Sequence, residues 1–344
     1  MKISIGTNIQ DGPWGGGNLF AINFSTYLIE QGHEVVFDLK DDNIDIILLT
    51  EPRKTSPSSA FTNYDILNYI NYINCNALVV HRINECDEHK DTNFINKYIA
   101  YANKSADATV FVSTWMKEIY QNYQEIVKKP QKVILAGANQ NIFNSLDKQI
   151  WNPKNKLKLV THHWSNNWNK GFEVYKKIDE LLDEELFNSH FEFTFIGRLP
   201  DNFEFKNVNK INPLSGENLV KELKKNDFYI TGTINEPSGN HHIEAAQCGL
   251  PILYMDSGGV KEYCEGFGIE FQIYNLREKI YEAYDNYDFH NNNIQNYPRS
   301  SEQMSIEFLK FFEKILLVKN ELIEKRSPTN KSILKTIYFN LKSR

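Results

Sequence analysis

The strongest constraint on the fold of this chain is an alternation of short apolar runs with stretches that are apolar only at helical spacing. Runs over residues 2–9, 33–38, 45–49, 77–81, 108–112 and 132–135 take turns with patterns such as Phe20, Phe24 and Leu28, or Phe94, Ile95, Tyr98 and Ile99. A strand buried on both faces reads as continuously apolar, and each face of a parallel sheet must be covered by helices, so the pattern predicts an α/β fold with parallel strands. The periodicity fades over a polar stretch, 139–156, that contains Pro153, and it resumes with strands over 157–161, 191–196, 227–230 and 251–254. Two facing Rossmann-like domains are the economical reading. The expected boundaries are 1–150 for an N-terminal domain, 151–313 for a C-terminal one and 314–344 for a helical basic tail.

Composition narrows the class. A chain of 344 residues suffices for two domains with their own cores, and 41% hydrophobic with 24% charged residues is ordinary for a globular protein. Cys75, Cys86, Cys248 and Cys264 contain no Cys-x-x-Cys pair, which reads as a reducing, cytoplasmic setting. The doublets His162-His163 and His241-His242 do not read as zinc ligands, because adjacent side chains point apart; neither a metal nor a cofactor is expected. A net charge of -6 argues against a nucleic-acid partner. Met1-Lys2 runs directly into a strand pattern, and no run approaches the ~18 apolar residues of a membrane span.

Ligands of parallel sheets bind beyond the carboxyl ends of the strands, so three stretches are candidate binding elements. Gly15-Gly16-Gly17 stands between the first strand and its helix, where glycines let backbone approach a ligand and a helix start can meet an anion. A tight turn is the alternative, and the spacing is not that of a dinucleotide fingerprint. His81 ends the run 77–81 in a charged neighbourhood, and is either functional or a buried structural histidine. The third stretch, 231–249, reads TGTINEPSGNHHIEAAQCG and sets seven residues between Glu236 and Glu244. Pro237 stops the strand, Ser238 is expected to cap a helix through the N–H of Asn240 or His241, and Gly249 with Pro251 ends that helix. Gly239, Asn240 and His241 then offer a seat for phosphate. Glu244, about one and a half turns in, must reach a different part of a ligand from Glu236. One long ligand held at two points explains the spacing; two surface glutamates at a strand–helix junction is the plainer alternative.

With these residues in view, the chain resembles the retaining glycosyltransferases of family 4, which have the two-domain GT-B fold. The stretch Asn235-Glu236-Pro237-Ser238-Gly239 through Glu244 to Pro251 resembles their paired-glutamate motif, and Gly15 to Gly17, His81, Ala136-Gly137-Ala138-Asn139 with Phe143, Lys170-Gly171, Asp227 and Gly258-Gly259-Val260-Lys261-Glu262 agree in order. The resemblance spans roughly residues 1–290. It implies that Glu236 contacts hydroxyls of the transferred sugar, Glu244 the ribose of a nucleotide-sugar donor, and Lys170 the diphosphate, without a metal ion. Where the family carries an arginine five residues before the lysine, this chain has Ser165; Arg198 is a replacement of the same charge. The acceptor implied is a glycan, a lipid-linked or a small molecule. A non-catalytic nucleotide-sugar binder and a GT-B nucleotide-sugar epimerase are the alternatives.

After Pro328, Lys331, Lys335, Lys342 and Arg344 accompany an apolar stripe of Ile333, Leu334, Ile337, Tyr338 and Leu341. Such a helix either lies on an anionic membrane surface or packs back on the protein body.

Overall fold

The computed structural model describes residues 1–12 and 15–326. The basic stripe of the tail therefore lies outside the described residues. The chain forms two compact units, one of Met1–Ala136 with the chain from Ser301 onward, the other of Gly137–Ser300.

The first unit holds β1 (Lys2–Ile5), β2 (Glu34–Val36), β3 (Ile46–Leu49), β4 (Leu78–Ile83), β5 (Ala108–Phe111) and β6 (Gln131–Val133). They form a six-stranded parallel sheet in the order β2-β1-β3-β4-β5-β6. β3 shows why its sequence is apolar throughout. Ile46 and Leu48 enter a core with Phe20, Phe24 and Leu28, whereas Ile47 and Leu49 enter another with Ile66, Leu67 and Ile70. Successive side chains point to opposite faces, and both faces are covered.

The second unit holds β7 (Leu157–His163), β8 (Phe191–Gly197), β9 (Asn209–Ile211), β10 (Phe228–Thr231), β11 (Ile252–Met255) and β12 (Gly268–Phe271). Its parallel order is β12-β11-β10-β7-β8-β9. From β7 the chain runs outward through β8 and β9, then returns to the other side of β7 for β10, β11 and β12. The order therefore reverses between β7 and β10, which pair through Phe228 with Leu159 and Tyr229 with Val160. Such a reversal opens a crevice at the carboxyl ends of the two strands.

The units divide the chain differently from the expected boundaries at 150 and 313. The segment between β6 and β7 carries no helix or strand, in keeping with its faded periodicity, but it belongs to the second unit from Gly137 on. Trp151 packs edge-on against Tyr284 and Tyr287, and Lys224 donates to the Asn144 side chain and the Leu146 carbonyl. Conversely, the helix Ser301–Leu317 joins the first unit. Phe308 lies 5.2 Å from Phe20 and 5.1 Å from Phe24 between ring centres, and Phe312 lies 5.8 Å from Phe24. Nor does a separate tail begin at 314, since Leu322 is buried in the same core and the Arg326 guanidinium is held by both Asp107 carboxylate oxygens.

Candidate functional site

The crevice between β7 and β10 is built from two loops that hold each other. After β7, the Asn167 side chain accepts from the Asn169 N–H at 2.9 Å and starts the 3-10 turn Trp168–Lys170. The turn ends at Gly171, φ 100°, where a Cβ would lie 2.8 Å from the Gly232 carbonyl carbon, so only glycine fits. After β10, the Ile234 N–H donates to the Asn169 carbonyl at 2.9 Å, which ties the second loop to the first. Asn235 takes the left-handed conformation, φ 52°, and its N–H donates to Ser257 Oγ at 2.9 Å. Glu236 then pairs with Gly258 as a parallel bridge, and its carbonyl accepts from the Gly259 N–H at 2.8 Å. A Cβ on Gly258 would lie 2.4 Å from the Glu236 carbonyl oxygen. The Glu236 backbone is thus fixed from two sides.

The side chains meet where the loops do. Lys170 Nζ donates to Glu236 Oε2 at 2.6 Å, with both side chains largely buried. At the start of the helix Asn240–Gln247 the expected cap is corrected. Gly239, φ 72°, occupies the cap position and no side chain caps the helix, because a Cβ there would come within 2.3 Å of His242 Cε1 and the chain turns into the helix one residue after Ser238. The first-turn N–H groups of Asn240 and His241 therefore keep the helix's partial positive charge, roughly half an elementary unit, without a side-chain oxygen against it. Glu244 is buried and its Oε2 lies 3.0 Å from His162 Nε2.

Around this centre stand four histidines from β7 and the helix start. His163 Nε2 lies 2.6 Å from the Tyr175 hydroxyl, and His241 Nδ1 lies 3.1 Å from the Tyr229 hydroxyl. Burial pushes His163 and His241 well below the usual imidazole range, with Lys170 and the neighbouring rings adding to the effect. Burial likewise lowers His242 to about 4, against the attraction of Glu236. His163, His241 and His242 are thus neutral near pH 7, beside the Lys170 cation and the positive end of the helix. Among the described residues no group of three or more His, Cys, Asp or Glu side chains is placed to hold a metal ion, and no helix is long and apolar enough to cross a membrane.

The crevice thus brings together Lys170, Glu236, Ser238, Gly239, Asn240, His241 and Glu244. Arg198 stands one strand away, exposed beyond the end of β8, with its guanidinium carbon 5.9 Å from the Trp164 ring centre. Ser165, at the position of the family arginine, is exposed and accepts from the Asn167 N–H. The remaining candidates belong to the first unit. Gly15, Gly16 and Gly17 form the first turn of the helix Gly15–Glu30 and not a preceding loop. No described atom lies within 4 Å of a Cβ built on Gly15 or Gly17, so the backbone there is open to approach. His81 does not end its strand. It is the fourth residue of β4 and buried, because the run continues through Arg82 and Ile83 and both polar side chains find partners: His81 Nδ1 lies 3.0 Å from Asn103 Oδ1, and the Arg82 guanidinium 4.1 Å from the Phe20 ring centre.

His162 and Tyr229 were not singled out as site residues from the sequence. The available signal was positional. β7 extends two residues beyond the expected 161, and this places His162 and His163 at a carboxyl strand end.

With a sheet reversal in each unit and a charged crevice in the second, the architecture is that of the GT-B class of α/β fold. The structure is similar to sucrose-phosphate synthase from Thermosynechococcus elongatus, with a TM-score of 0.64, 12% identity, and coverage of 92% of this chain and 99% of that one. It is similar also to a glycosyltransferase from Rickettsia africae (0.65, 14% identity, 92% and 98% covered) and to Anabaena HepE in complex with UDP and glucose (0.65, 14%, 91% and 100%). No protein-family model and no curated protein matches the sequence. What is shared at these identities is the fold.

Proposed function

We propose that this protein is a retaining, metal-independent glycosyltransferase that moves a sugar from a nucleotide-sugar donor bound in the second unit to a glycan, a lipid-linked or a small-molecule acceptor. The observation that carries this reading is the Lys170–Glu236 contact of 2.6 Å at the reversal between β7 and β10, beside the uncapped helix start at Gly239. In the transfer, the bond from the sugar's anomeric carbon to the diphosphate breaks and its electron pair leaves with the nucleoside diphosphate. The acceptor oxygen forms the new bond, and its proton passes to the departing diphosphate oxygen. Charge grows on the leaving diphosphate, where Lys170 and the N–H groups of Asn240 and His241 stabilise it, with Arg198 at the edge as a second cation. Glu236 accepts from hydroxyls of the sugar, and Glu244 from the ribose. In the first unit, Gly15 to Gly17 give backbone access for the acceptor, and His81, whose Nδ1 lies 3.0 Å from Asn103 Oδ1, is assigned to the transfer step.

The sucrose-phosphate synthase and HepE likenesses support a sugar-nucleotide substrate, since HepE is described with UDP and glucose. The test is a thermal-shift series with UDP, GDP and ADP sugars, followed by donor hydrolysis without acceptor. One donor class is expected to raise the melting temperature, because a ligand that binds only the folded state stabilises it, and to be slowly hydrolysed. Binding without turnover would make the protein a binder, and conversion of the donor sugar without release of diphosphate an epimerase.

A further inference from the structure

The reading above leaves Glu244 with a carboxylate on a helix interior, and the structure shows what aims it. His162 Nε2 lies 3.0 Å from Glu244 Oε2, and both side chains are about nine-tenths buried. Among the described residues Oε1 has no hydrogen-bond partner. The histidine is itself held from the sheet. Its backbone N–H donates to the Tyr229 hydroxyl at 3.1 Å, and its ring packs edge-on to the Tyr229 ring at 5.5 Å. Tyr229 in turn meets His241 Nδ1, in the first turn of the helix that carries Glu244.

The tautomer follows from the partners. His162 Nδ1 is buried without a hydrogen-bond partner. With the proton on Nδ1, a buried N–H would be unpaired and the Nε2 lone pair would face a carboxylate oxygen, which is repulsive. With the proton on Nε2, the ring donates to Oε2 and the orphan is a bare acceptor. Oε2 then accepts from the ring, and Oε1, with no partner among the described residues, is open to accept from a ligand hydroxyl.

We infer that His162 is a positioning residue for nucleotide recognition: by donating Nε2–H to Glu244 Oε2 it turns Oε1 toward the ribose hydroxyls of the donor. This rests on the donor reading above. It extends that reading from the helix to a residue on β7, 82 positions away in the chain.

The experiment is calorimetric binding of UDP, GDP and ADP, and of their 2′- and 3′-deoxyribose counterparts, to the full chain and to His162→Leu, His162→Gln, Glu244→Ala and His162→Leu/Glu244→Ala, each checked for a cooperative unfolding transition. His162→Leu is expected to weaken binding of the preferred ribonucleotide by on the order of tenfold, the size of one lost hydrogen bond to a charged group. It should leave the deoxyribose counterpart that lacks the recognised hydroxyl unaffected. His162→Gln, which keeps a donor, should recover part of the loss. In the Glu244→Ala background His162→Leu should cause no further loss, because it acts through that carboxylate. Equal weakening of ribose and deoxyribose ligands, additive losses in the double variant, or unchanged binding by a folded His162→Leu would each overturn the inference while the donor reading stands. If the unaltered chain binds none of the nucleotides, the donor reading fails and the inference falls with it.

Discussion

At the scale of single residues, the crevice separates two carboxylates by what faces them. Glu236 meets a cation, Lys170, and Glu244 meets an imidazole, His162. On the proposed function, the first pair lies where a transferred sugar and its leaving diphosphate would meet, so its effect would belong to the transition state, whereas the second would act on donor binding. Glu236→Gln is therefore expected to lower kcat with little change in donor affinity, and Glu244→Ala to raise the donor KM chiefly, as read from initial rates. Equal losses of melting temperature in both variants with unchanged donor affinity would contradict these roles. Lys170→Ala should lower kcat by on the order of ten- to a thousandfold. It also removes one partner of a largely buried ion pair, so its melting temperature should fall as well. A rate equal to that of the unaltered chain would show that another cation serves the diphosphate.

At the scale of elements, the loop after β10 depends on the start of the next βα connection. Gly258, φ 73°, lies against Glu236 so closely that a Cβ would stand 2.4 Å from its carbonyl oxygen and 2.6 Å from its nitrogen. Both contacts are to backbone, which cannot rotate away. Gly258→Ala is expected to destabilise the protein by about 1–3 kcal/mol, through the left-handed conformation and the displacement it forces. It should also lower turnover, because the Glu236 carboxylate moves with its backbone. Denaturant unfolding beside steady-state rates checks both. By contrast, Gly266→Ala, at φ 82° but with nothing within 4 Å of its Cβ, should lose stability without losing turnover.

At the scale of the whole molecule, the buried histidines make stability depend on acid. His81 is lowered to about 3 and His242 to about 4, both by burial. In the unfolded chain histidine titrates near 6.5, so below about pH 6.5 the unfolded state takes up protons that the folded state refuses. Stability is full above that pH and falls as pH drops toward about 4, by about 1.4 kcal/mol per pH unit for each such residue. Urea midpoints at pH 7 and pH 5 test this, and equal midpoints would contradict it. Chain-end packing gives a second expectation. Phe308, Phe311, Phe312 and Ile315 are buried against the first unit. At about 1.5–3 kcal/mol each, they contribute an amount comparable with the whole stability of a domain. A chain ending at Ser300 should therefore lose the cooperative unfolding of its first unit, and retained cooperativity would show that the helix is dispensable.

Much of this architecture is readable from the chain alone where burial is local. The apolar runs at 45–49, 77–81 and 108–112 became central strands, since a strand covered on both faces has no polar position to spare. β9 and β12 were missed because they are edge strands, short and partly exposed, whose residues need not be apolar. The stretch 231–249 announced its two glutamates by spacing, whereas Lys170 stood out only through the family resemblance. Their partnerships are another matter. Lys170 is 66 positions from Glu236, and His162 is 82 from Glu244. These pairs exist because β10 returns to the side of β7 opposite β8, a long-range pairing that no local pattern encodes. The same holds for the helix Ser301–Leu317. Its apolar stripe is legible in the sequence, but the core it joins is chosen by which faces remain uncovered when both sheets have formed.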